Sequence, residues 1–403
     1  FISHALGGSW ILSEESFMES LDVFDFLKLK ASWGVLGYDA TTPHLLYNKR
    51  WRDAGNVQFG ERNSGYTAQR VILDGVGSPN LKWEKSEELN FGVEGLALDQ
   101  RLSFEFNYFS ENRYDIIEKV QSRYSSIYAG MFPYDNWGDI QNRGLEGQVH
   151  WQSSLGNLKY RVGGNFIWSK NEVVRVDEIA FPNTRTTEGL PSDVIMGYEN
   201  LGLFGKDVSL EGHPQQTFGD YQQGDLAYRD VNNDGMVDDL DRTNIGNSYP
   251  RLTYGVDVEL KYKGFGLYVL ASGASDVNMV NQNAYYTNYG IGKYSQLAME
   301  RYHPTNNPDG TQPRLTSTQA SNNMVQSDFW MLNTSYFRLK NVELSYTFRN
   351  APNATARNLK FYIRGTNLMV LSDMEDLDPE VPNGGVTNYP VFTNMLAGVE
   401  VSF

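Results

Sequence analysis

Hydrophobic residues recur at every second position through most of the chain. Over 391–403 the odd-numbered positions are Val391, Thr393, Met395, Ala397, Val399, Val401 and Phe403, while the even ones are mostly polar or small. Side chains alternate faces along a strand, so the segment has one greasy face and one wetter face. Its length suits a tilted crossing of a bilayer by a strand. The same alternation appears in Leu27, Leu29, Ala31, Trp33 and Val35, in Leu89, Phe91 and Val93, and in Leu102, Phe104, Phe106 and Tyr108. It continues through 145–151, 158–168, 254–262, 265–271, 342–348 and 359–363. The pattern predicts about ten to twelve antiparallel strands. Helical signals amount to a turn or two at 13–18 and 296–301.

The connections are unequal. Tight turns are expected at 99–101, 155–157 and 263–264, and long polar connections at 38–80, 115–138, 174–196, 205–250 and 273–328. Short turns on one rim and long loops on the other are the plan of an outer-membrane β-barrel. Strands of ten or so residues also exceed the usual soluble length of about five to six. The fold class expected is all-β: an antiparallel transmembrane barrel section with long loops. A soluble β-sandwich is the alternative.

Composition sharpens this picture. A mean hydropathy of −0.48 resembles that of a soluble protein, but a barrel shows lipid only alternate residues and scores as hydrophilic overall. The 25 Tyr, 21 Phe, 8 Trp and 38 Gly suit strands, interface girdles and turns. Without cysteine there is no disulfide, thiolate zinc site or Cys nucleophile. A net charge of −15 argues against nucleic acid as a partner. With 5 His, no paired-His motif and no nucleophile elbow, an enzyme is not expected. The chain opens inside what looks like a strand, with no leader, and reads as a segment of a longer chain or a processed product.

Two kinds of candidate site stand out. Asp230, Asn232, Asp234, Met236, Asp238 and Asp241, with Gly235 at the sharp turn, match the ligand positions of a calcium loop. Met236 would ligate through its carbonyl, and Asp241 stands where a longer Glu is usual. The expected role is structural: Ca2+ stiffening the 205–250 loop. A solvated acidic turn is the bland alternative. The second kind is aromatic: Tyr124, Tyr128, Phe132, Tyr134 and Trp137 in one loop, and Tyr285, Tyr286, Tyr289 and Tyr294 in another, among Asn281, Gln282, Asn283 and Asn288. Flat faces with polar tips suit contact with a sugar, a peptide or a covering protein, although girdle and loop packing use the same residues.

Residues 224–250 (GDLAYRDVNNDGMVDDLDRTNIGNSYP) closely resemble a segment of the SusC-like TonB-dependent outer-membrane transporters of Bacteroidetes. Other stretches resemble that family in the same order: 9–17 (SWILSEESF), 27–34 (LKLKASWG), 142–147 (NRGLEG), 327–330 (SDFW), 335–346 (SYFRLKNVELSY) and 365–368 (GTNL). The resemblance implies a plugged barrel of roughly 22 strands, of which this chain would be the carboxy-terminal section without the plug. It also implies a SusD-like surface lipoprotein as lid, energy from the TonB complex through amino-terminal parts, contact with outer-membrane lipid, and a glycan or peptide substrate. Val399, Val401 and Phe403 would be the terminal barrel-assembly signal. A calcium-stiffened surface adhesin or binding protein is the competing function, and a plain diffusion porin a weaker one.

Overall fold

In the computed structural model, the described residues are 2–39, 45–60, 65–125, 132–178, 186–281, 285–287, 289–290, 293–318, 320–349, 358–374, 377–381, 389 and 391–402. Eleven strands form one sheet. They are β1 (His4–Ile11), β2 (Phe24–Tyr38), β3 (Glu84–Ala97), β4 (Leu102–Lys119), β5 (Tyr134–Leu155) and β6 (Leu158–Arg175). After a long excursion follow β7 (Leu252–Tyr262), β8 (Phe265–Ser275), β9 (Tyr336–Arg349), β10 (Asn358–Ser372) and β11 (Asn394–Ser402). Each pairs antiparallel with its neighbours in this order, giving an up-and-down sheet. The sheet is open, with β1 and β11 as its edges.

Register turns the alternating sequence into two chemically opposed faces. One row across the sheet runs Trp10, Leu29, Val93, Phe106, Gly147, Phe166, Tyr254, Gly273, Phe337 and Leu371. The adjacent row, on the opposite face, runs Lys28, Glu94, Glu105, Gln148, Asn165, Gly255, Ser272 and Arg338. The apolar face is left open: Met395, Ile363 and Leu344 are 72%, 61% and 55% exposed. The two glycines in the apolar row lie under rings, Gly147 beneath Phe106 and Phe166 and Gly273 beneath Tyr254. A Cβ on Gly147 would fall 2.5 Å from Phe106.

The rims differ as expected. Among the described residues, three tight hairpin turns lie on one rim. Lys263 and Gly264 both take positive φ, 46° and 92°, matching a type I′ turn. Gly156 takes 58° as the first of two turn residues, as type II′ requires. The third turn is wider, with Leu98, Asp99 and Gln100 all left-handed. Near this rim Phe265, Tyr346, Phe348 and Phe361 stack edge to face at 4.5–5.9 Å on the apolar side. The opposite rim carries the connections 39–83, 120–133, 176–251, 276–335 and 373–393. The two loops expected at 174–196 and 205–250 are one excursion, because the residues between them pair within it and never return to the sheet. The connection at 373–393 was not anticipated. Short 3-10 turns at Leu12–Glu14, Ser16–Met18 and Gln296–Glu300 occupy the two stretches with helical signals.

Candidate functional site

The two longest excursions, 176–251 and 276–335, fold into one cap over the loop rim. Four short ladders brace it: Val194–Gly197 with Thr243–Asn247, Asn200–Leu203 with Leu226–Tyr228, Gln215–Gln216 with Met236–Val237, and Asn278–Val280 with Met331–Asn333. Backbone hydrogen bonds stitch the excursions together: Tyr198 N–H donates to Gln326 O (2.9 Å) and Asp328 N–H to Tyr198 O (3.1 Å). The apolar core joins Tyr198, Leu203, Leu226, Tyr228 and Val237 of the first excursion to Tyr302 and Trp330 of the second.

A buried polar cluster sits against this core. Asp225, fully buried, accepts from Arg314 Nε (2.8 Å) and Asn323 Nδ2 (2.8 Å). Asn322 Nδ2 and Gln216 Nε2 both donate to Leu226 O (2.9 and 3.1 Å), and Trp330 Nε1 donates to Asn323 O (2.8 Å). Such a network, fully paired, fixes one arrangement of two loops that sequence alone would leave loose. At the base of the cap, Asp193 accepts from Asn171 (3.0 Å), Tyr249 N–H (2.9 Å) and Arg251 (3.0 Å), joining both legs of the first excursion to β6. Burial pushes the Asp193 carboxyl up, but these donors outweigh it and hold it below the usual carboxylate range. Burial, reinforced by Asp239, pushes the Tyr198 hydroxyl up.

The calcium-loop residues lie on the flank of the cap. Asp230 accepts from the amides of Asp234 (3.3 Å) and Gly235 (2.9 Å), and Asn232 Oδ1 from Asp234 N–H (2.9 Å). Asp234 Oδ1 accepts from Met236 N–H (2.9 Å). Asp241 is fully buried and accepts from Val231 N–H and Asp238 N–H, both at 2.8 Å, while Asp238 accepts from Leu240 N–H (2.8 Å). Among the described residues no three acidic or His side chains converge as a metal cage. The loop closes on its own amides: Asp241 Oδ1 accepts from both Val231 and Asn232 N–H, while the oxygens of Asp230, Asn232 Oδ1 and Asp234 Oδ1 accept one amide each.

No family model matches. The chain is 26% identical to TonB-dependent receptor P26 of Formosa agariphila over 94% of its length, covering 39% of that protein. It is 23% identical to TonB-dependent receptor SusC of Bacteroides thetaiotaomicron over its whole length, covering 40% of it. The chain resembles SusC. Solved structures of the RagAB peptide transporter, and of the same importer in an open-open state, share its fold at TM-scores of 0.75 and 0.76, with 20% and 21% identity. They are covered to 43% and 42%. The chain thus spans about two fifths of the relatives it matches, and the apolar face of this SusC-like sheet is the lipid face of an outer-membrane barrel. The hairpin rim is periplasmic and the capped rim extracellular. These relatives are named as receptors, and the expectation that the chain is not an enzyme stands with them.

The lumen face of the SusC-like wall is laced with ion pairs: Lys28–Glu94 (2.9 Å), Lys360–Glu343 (2.7 Å) and Arg364–Glu343 (2.5 Å). Near the extracellular rim, Arg338 pairs with Asp378 (2.6 Å) and Glu380, and Lys340 with Glu380 (2.6 Å). The aromatic candidates scatter. The guanidiniums of Arg123 (3.4 Å) and Arg175 (4.4 Å) both lie over the Trp137 ring. Tyr134 borders a small recess with Leu46, Lys119 and Phe132, and Tyr124 is exposed. Tyr285 meets Tyr286 edge to face, and Tyr286 packs on the cap core. Tyr289 and Tyr294 are exposed. Tyr128 and Phe403 lie outside the described residues, as do Gln282, Asn283 and Asn288. Val399 and Val401 project from the lipid face of β11.

A recess under the cap was missed at the sequence level. It holds about 540 Å³ and is bordered by Thr253, Ala274 and Tyr336 of the wall and by Ile195, Val277 and Met279 of the cap. Its walls come from five distant stretches, and no local pattern announces it.

Proposed function

We propose that this chain is the carboxy-terminal barrel section of a TonB-dependent importer of large nutrients, oligosaccharides or oligopeptides, working with a SusD-like lipoprotein. The carrying observation is the opposed chemistry of one open sheet, with an apolar row facing out, an ionic row facing in, and a cap over one rim. Energy would reach it through TonB contacts outside these residues. The relatives named as TonB-dependent receptors and as a peptide transporter support this reading.

Uptake of labelled oligosaccharide and oligopeptide pools by cells carrying the whole transporter, with and without TonB, tests it. The expected result is uptake of one pool that stops without TonB. TonB-independent uptake returns the porin reading, and a particle monodisperse without detergent returns the adhesin.

Calcium is a separate part of the proposal. The 230–241 loop offers oxygen donors alone, which suits a hard cation. Asp230, Asn232, Asp234 and the Met236 carbonyl would hold Ca2+, with Asp238 acting directly or through water. The ion would supply rigidity, not chemistry.

A further inference from the structure

We propose that the recess between the lumen wall and the cap is a subsite for an uncharged aliphatic side chain of an oligopeptide; this rests on the importer reading and narrows its substrate. Its floor is the register row Thr253, Ala274 and Tyr336, on the face opposite the lipid-facing Tyr254, Gly273 and Phe337. It therefore opens to the lumen and not to the bilayer. The roof is cap: Ile195, Val277 and Met279. A volume of about 540 Å³ lies within the range of small-ligand pockets, roughly 300–1,000 Å³.

The lining chemistry selects the occupant. Among the described residues no aromatic ring apart from Tyr336 faces the recess, and the Tyr336 hydroxyl donates to Glu380 Oε1 (3.1 Å). A sugar ring gains most from flat aromatic faces, which are scarce here. Branched aliphatic side chains and an adaptable thioether suit leucine-like groups instead. Among the described residues Glu380 is the one charged lining residue, and Arg338 and Lys340 neutralise it. A charged ligand finds no unpaired counter-ion. At the edge, Gln326 Nε2 donates to Met196 O (2.9 Å) and the Thr334 hydroxyl to Val277 O (3.4 Å), so the Gln326 and Thr334 side chains turn acceptor oxygens, suited to peptide N–H groups, to the recess.

The test uses the intact transporter with its partner protein in detergent. Three probes are compared: a leucine-containing oligopeptide pool, the same pool with Leu replaced by Ser, and a linear oligosaccharide pool. The leucine pool is expected to bind at least about tenfold more tightly than the serine pool. Ala274→Phe, which fills the recess from the wall, should erase that difference. Met279→Ser, made in the cap and leaving the wall untouched, should reduce it severalfold. A leucine preference that survives both substitutions, or is absent from the wild type, overturns the subsite. Oligosaccharide binding that Ala274→Phe abolishes overturns the peptide assignment. TonB-dependent uptake measured in parallel separates the two levels: if the wild type imports neither class, the importer reading falls and the subsite with it. If import proceeds without leucine preference, only the subsite falls.

Discussion

The wall and the cap belong to one chain yet obey opposite solvent rules. In the wall, large apolar side chains such as Ile363, Leu344 and Met395 stand open on one face, and charges line the other. In the cap, Tyr228, Leu226 and Val237 are fully buried, as in a small soluble domain. The cap carries its own hydrophobic stabilisation, whereas the wall depends on lipid for the corresponding term. The contrast implies that each region can be damaged without the other.

The largest separation should come from the cap core. Trp330→Ala removes a buried ring and leaves Asn323 O without its donor, a loss of about 3–5 kcal/mol. Protease nicking across 176–251 and 276–335 should rise steeply while heat-modifiable barrel migration stays intact. Loss of the barrel along with the cap would show that the two are one cooperative unit. Next in size is the lipid face. Ile363→Arg near the middle of β10 should cost about 2–4 kcal/mol in bilayer unfolding, and Ser272→Arg on the lumen face far less. Equal costs would mean that the two faces are not chemically opposed.

Legibility followed the same divide. The wall was readable because a strand repeats every two residues, so Leu89, Phe91 and Val93 declare their face without knowledge of any partner. The tight turns were readable from local residues such as Lys263 and Gly264. The cap was not readable. Asp225 and Arg314 meet across 89 positions of sequence, and the short ladders have too few residues for a period to show. Nothing within 205–250 or 273–328 alone announces that the two stretches fold together. The same limit explains Trp137: composition marked it as a platform, but Arg123 and Arg175 cover it from neighbouring segments. Val399 and Val401 belong to the period-two wall, and their lipid-facing position follows from that period.

A smaller effect needs acid to appear. Asp193 is held below the ordinary carboxylate range by Asn171, Tyr249 N–H and Arg251 against the opposing pull of burial. A depressed folded-state value means that the stabilisation is fully present above the unfolded value, about 4, and is lost as pH falls through the lower folded value. Nicking at the legs of the cap should thus stay low at neutral pH and rise only under strong acid. Asp193→Asn should make the legs open at neutral pH and remove this acid-dependent rise. An acid-dependent rise of unchanged size in Asp193→Asn would place the responsible carboxylate elsewhere.

The smallest expected effect concerns calcium, and it tests whether the cap needs anything beyond its own core. The 230–241 loop is already closed by its amides, and Asp241 is committed to Val231 and Asp238 N–H groups. An ion would add to an existing turn and would not create one. If affinity falls in the extracellular range, with a dissociation constant of about 0.1–1 mM, then 1 mM Ca2+ stabilises the folded loop by only about 0.4–1.4 kcal/mol. Chelation should accordingly raise nicking within 205–250 by a few-fold, roughly two- to elevenfold on that scale, and leave the wall unchanged. Asp230→Ala with Asp234→Ala should reach the chelated level and no longer respond to chelator. Equal nicking with and without chelator in the wild-type protein would leave the amide-closed turn as the whole explanation of these six residues.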